Sequence, residues 1–81
     1  MRLYKDVEKK KLKSVICNCC GRELNMNGCH VSEGVLRVRK DWGFFSEKDL
    51  KRHEFDLCEK CYDNMIETFQ IPVMESEVLE V

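Results

Sequence analysis

The chain has 81 residues, a net charge of -1 and six cysteines among 36% charged residues. That length holds one domain with a modest core, and so small a domain usually needs a staple. The near-neutral balance lacks the basic surplus of a dedicated nucleic-acid domain. No apolar run reaches membrane-spanning or signal-peptide length. The expected compartment is therefore the cytoplasm, with no membrane partner, where reduced cysteines read as metal ligands or redox groups before disulfides.

In chain order, residues 1–10 read as a basic N-terminal segment. Residues 1–14 carry six Lys/Arg against two Asp/Glu, and KKKLK (Lys9 to Lys13) reads as solvated charge in preference to a phosphate-binding arm. A single domain is expected over 11–72. Lys11 to Ile16 read as a short strand feeding the first cysteines, and ELNMNGCHVSEG reads as loop. VLRVR (Val35 to Arg39) alternates with period two, as a half-buried strand does. A turn at KDWG follows. In LKRHEFDL, His53, Phe55 and Leu57 share the phase expected to face inward.

From Cys58 the period changes. Tyr62, Met65, Ile66 and Phe69 fall at helical spacing, Asp56 is placed to cap and Pro72 to terminate, so a helix is predicted over about Glu59 to Phe69. Residues 73–81 form an apolar, acidic tail with three Glu and no base. It pairs with another subunit's sheet edge or stays disordered.

The chemistry lies in the cysteines. In ICNCCGREL, Cys17 and Cys20 have the two-residue spacing that lets one tight turn aim both sulfurs at one ion, and Gly21 supplies the backbone conformation behind them. Adjacent Cys19 and Cys20 cannot face one ion without strain. Cys58 and Cys61 repeat the spacing across a helix N-terminus, where free amides favour thiolate. Two such pairs with 37 residues between them predict a tetrahedral Zn2+ site of Cys17, Cys20, Cys58 and Cys61. Four thiolates also suit iron, but ferredoxin spacing is absent and no glycine follows the second pair. Arg22 and Lys60 are placed to offset the site's negative charge.

The rest is less specific. Cys29 and His30 with Cys19 and His53 fit no familiar second zinc pattern, and Cys19 and Cys29 read as ordinary small thiols. His53 reads as a hydrogen-bonded core residue. Trp42, Phe44 and Phe45, flanked by Arg37, Arg39 and Lys40, form either a base-stacking platform or, at least for Trp42, core.

Knuckle, hairpin and a helix carrying the last two ligands resemble the treble-clef zinc fingers, with the zinc ribbon as alternative. More specifically, ICNCCGREL and DWGFFSEKDLKRHEFDLCEKCYDNMIETFQIPV resemble a group of small bacterial proteins, mostly from Firmicutes, with a CxxCG and an H-x-F-D-x-C-E-x-C-Y tail. The resemblance covers most of residues 1–73 and brings no assigned activity; the group is expected to have a glycine at or near the position of Leu50, so a differently shaped turn is expected here.

The expected function is a non-enzymatic zinc module whose four-cysteine site holds a surface for a protein partner. The alternative is nucleic-acid binding through the basic N-terminus and Arg37, Arg39 and Lys40. A relative of HNH nucleases is disfavoured because the histidines lack that signature. A thiol-based redox or zinc sensor would use Cys19, which could exchange with a ligand or pair with Cys29.

Overall fold

The computed structural model describes residues 1–6 and 11–78. Among them are three antiparallel hairpins and one helix: β1 (Arg2–Asp6) pairs with β2 (Lys11–Val15), β3 (Met26–Asn27) with β4 (His30–Val31), and β5 (Val35–Asp41) with β6 (Arg52–Cys58), which leads into α1 (Glu59–Ile66). The chain is a small α+β domain. Lys9 and Lys10 of the basic run, and residues 79–81 of the acidic tail, lie outside the described residues.

β2 alternates as its sequence requires: Leu12 and Ser14 are buried between exposed lysines, and Val15 is fully enclosed. Residues 2–6, within the basic N-terminal segment, are the strand that pairs with it, Arg2 opposite Val15 and Leu3 opposite Ser14. The segment predicted as loop contains β3 and β4, closed by Gly28 and Cys29. Gly28 has φ +65, a left-handed conformation that glycine reaches without cost. This pair is short, but it puts Met26 and Val31 against the core.

The core consists of Leu12, Val15, Leu24 and Leu57 together with Cys17 and Cys58. Four aliphatic side chains are a small nucleus for a chain of this size. Sulfur completes it.

β5 and β6 run in unbroken register from Val35 opposite Cys58 to Asp41 opposite Arg52. The predicted inward phase of β6 is not observed. His53 is exposed, whereas Asp56, Leu57 and Cys58 are consecutive buried residues. The reason is that the hairpin projects beyond the core: its inner end is covered on both faces and its outer end on neither. The tip is held by Trp42 N–H donating to Lys51 O (2.9 Å), Ser46 N–H to Gly43 O (2.9 Å) and Lys51 N–H to Lys48 O (3.0 Å). Trp42 is half-buried; Phe44 and Phe45 are exposed.

α1 is shorter than predicted and buries none of its residues fully. Tyr62 and Ile66 are half-buried, while Met65 and Phe69 are 37% and 46% exposed. Asp56 does not cap it. The N-cap position is Cys58, with extended backbone and no side-chain cap bond. Cys58 and Cys61 thus flank the first helical turn, not the second β-turn knuckle that a ribbon needs.

Candidate metal centre

The first cysteine turn is built by backbone. Cys17 N–H donates to Arg22 O (2.9 Å), Gly21 N–H to Cys17 O (2.9 Å) and Leu24 N–H to Val15 O (2.8 Å), while Ile16 bridges Glu23. Gly21 sits at φ +78, so the glycine behind the second cysteine is required by the turn itself. The amide of Cys20 points at Cys17 Sγ, 3.5 Å away.

The second pair reaches the same place through β6 and α1. Asn18, inside the first turn, ties the two together: its N–H donates to Asp56 O (2.8 Å), and its Oδ1 accepts from Asp56 N–H (3.0 Å). Asp56 is itself buried, and its carboxylate receives the amino group of Met1 (3.0 Å), Arg2 Nε (3.1 Å) and, more distantly, Arg37 (3.7 Å). A buried charge with this many donors is the arrangement burial demands. Neither Asn18 nor Asp56 is legible as a site residue from sequence, because their role arises from a contact 38 positions apart.

The result is one group of sulfurs. Cys17, Cys20, Cys58 and Cys61 have ligand atoms all within 4.8 Å of one another. Among the described residues this is the one such group; Cys19 and Cys29 are exposed and outside it, as are His30 and His53. His53 instead accepts a hydrogen bond from Trp42 Nε1 at 3.2 Å. Cys17 and Cys58 are buried, Cys61 half-buried and Cys20 exposed.

The spacing fits a metal. Four sulfurs at about 2.3 Å from a tetrahedral ion lie about 3.8 Å apart, and Cys20 Sγ is 3.9 Å from Cys58 Sγ. The electrostatics point the same way. Burial pushes the Cys17 thiol up, but amides of Cys20, Cys58 and Cys19 outweigh it and bring the group from 9.0 down to about 6. The amide of Cys61 lowers Cys58. Cys61 goes the other way: the Cys58 sulfur beside it, then burial, push it well above the usual thiol range. The helix terminus therefore favours one thiolate of its pair and not both. A divalent cation among the four sulfurs would stabilise all of them as thiolates.

Of the two basic residues predicted to offset the site, Arg22 is in place. Its guanidinium is held protonated chiefly by Glu33, and also by the Cys58 sulfur. Lys60 is exposed.

The four cysteines can hold a metal ion, and their four sulfurs would fill a tetrahedral coordination sphere. No helix among the described residues is long and apolar enough to cross a membrane. Comparison of the chain with family models, with curated proteins and with solved structures returns no match.

Proposed function

We propose that the protein is a non-enzymatic, treble-clef-like zinc module in which Zn2+ on Cys17, Cys20, Cys58 and Cys61 holds the fold, and the surface so held serves a protein partner in a regulatory or adaptor role. The observation that carries the reading is the convergence of the four sulfurs at the edge of the apolar core, to which Cys17 and Cys58 belong. Zinc binding to small cysteine-rich peptides is worth roughly 10–16 kcal/mol, as much as the whole net stability of an ordinary domain. With four protein ligands no position is left for water or substrate, which argues for structure over catalysis. Zinc is preferred to iron on the sequence spacing given above. Membership of the bacterial CxxCG...CxxC group belongs to the same proposal.

Two of the three hairpin bases of the nucleic-acid alternative already have an acidic neighbour. Arg37 and Arg39 face Asp56 and Glu54 across the strands, and both pair with Glu54, at 3.1 and 3.8 Å. The Cys19 thiol is exposed and close enough to the Cys61 sulfur to act on it, whereas Cys29 is exposed and the two are not paired with each other.

Two measurements test the proposal. Metal analysis of the purified chain should give one zinc per chain, and iron in its place would overturn the assignment. Affinity capture from nuclease-treated and untreated lysates should return the same protein partner from both; a partner lost on nuclease treatment would favour the nucleic-acid reading.

A further inference from the structure

Two apolar surfaces have no cover among the described residues. One is the tip of the β5–β6 hairpin, where Phe44 is 82%, Phe45 100% and Leu50 95% exposed. Beside them a groove of about 360 Å3 is lined by Asp41, Trp42, Leu50, Lys51 and Arg52. Leu50 has φ +70, a left-handed conformation unfavourable for a residue with a side chain. The strained backbone holds a leucine out in water at the edge of the groove. The other surface is the segment after α1, in which Ile71 is 81%, Met74 101% and Val78 83% exposed.

The two surfaces differ in charge. At the tip, Lys48 Nζ lies 4.6 Å and Lys40 Nζ 5.6 Å from the Trp42 ring centroid, and Lys51 lines the groove. Arg52 is taken by Asp41, but among the described residues none of these three lysines is in an ion pair. With Glu47 and Asp49 counted against Lys40, Lys48 and Lys51, the tip is +1; residues 71–78, with Glu75 and Glu77 and no base, are -2. The two carboxylates at the tip make it a poor platform for a nucleic-acid strand, which would bring a phosphate at every step. They leave it suited to a short apolar segment carrying a few acids.

We propose that residues 71–78 of a second copy of this chain dock on the hairpin tip, with Met74 in the groove against Trp42 and Leu50 and with Glu75 and Glu77 facing Lys48 and Lys51. A thioether beside an aromatic ring is a favourable contact for a flexible side chain filling an irregular groove. Exchange of the two segments about a twofold axis closes a dimer and covers both apolar surfaces at once. Two contacts of one short segment each make a small interface, so association is expected at micromolar concentrations and not tighter. The inference rests on the reading that the module serves protein contact, here with its own copy.

The test is sedimentation velocity of the zinc-loaded full chain over a concentration series, with fluorescence of Trp42, the one tryptophan, as a local reporter. The wild type should pass from monomer to dimer with a matching shift in Trp42 emission. Glu75→Lys with Glu77→Lys, and separately Lys48→Glu with Lys51→Glu, should each weaken dimerisation by roughly tenfold or more, and the fourfold charge exchange should restore it. A monomer at all concentrations overturns the proposal. So does a dimer that ignores the Glu75 and Glu77 changes but is lost in Phe45→Ser, because that outcome means tip-to-tip contact. Zinc analysis of the same samples keeps the two readings apart: a zinc-loaded monomer defeats the self-contact alone, whereas a chain without zinc defeats the proposed function.

Discussion

The two ends of the β5–β6 hairpin carry the same chemistry in opposite surroundings. At the inner end, Asp56 is buried, pairs with Arg2 and Arg37, and sits two residues from Cys58. At the outer end, Asp41 pairs with Arg52 in water, with about two thirds of its side chain exposed. An ion pair exposed to solvent is worth little, and removing one partner of a buried pair costs several times more. The inner end is therefore where the fold is determined. The outer end is an arm held out by it.

The sharpest way to break this comparison is to remove a metal ligand. Cys58→Ser or Cys17→Ser should abolish stoichiometric zinc and collapse amide dispersion along the whole chain, the arm included. Next in size is Asp56→Ala, expected to cost about 2–4 kcal/mol by denaturant unfolding of the zinc form, because the Met1 ammonium and Arg2 lose their buried carboxylate while the Asn18 bonds, made to the Asp56 backbone, are kept. Asp41→Ala, its outer counterpart, should leave the unfolding midpoint where it was. Equal costs for the two would refute the comparison.

Zinc affinity should rise with pH. Cys17, lowered to about 6, is already thiolate at neutral pH, whereas Cys61 is raised and must give up its proton on binding. Calorimetric titrations in buffers of different ionisation enthalpy should register proton release, and affinity should change by roughly tenfold per pH unit for each proton released. A pH-independent affinity with no proton release would contradict the assignment of Cys61.

Two smaller effects are expected, one in the arm and one beside the sulfurs. Leu50→Gly should stabilise by about 1 kcal/mol, since glycine accepts φ +70 and no packing is lost at an exposed position. Cys19→Ser should change neither zinc content nor midpoint, since Cys19 is exposed and outside the sulfur group.

Much of the inner end is legible in the sequence. The paired CxxC spacings name four residues that the fold brings together, Gly21 marks the turn that needs a positive φ, and the alternation of Val35 to Arg39 and the change of period at Cys58 mark a strand and a helix start. Local pattern suffices there because each element is built from neighbours in the chain. What escapes it is non-local. The pairing of residues 2–6 with β2 has no apolar signature, since Arg2 is anchored by Asp56 on a strand 54 positions away. The phase argument for His53 assumed a sheet with one covered face, and a projecting hairpin has none at its outer end. Asp56 looked like a helix cap by position, but a carboxylate buried beside an ammonium and a guanidinium is better satisfied there.

The most direct test of the central claim is an amide-correlation NMR spectrum of the reduced, zinc-loaded chain before and after removal of the metal by a chelator. The account predicts dispersed resonances that collapse to a random-coil distribution on chelation and return with one equivalent of zinc. Native dispersion retained in the metal-free, reduced chain would contradict it.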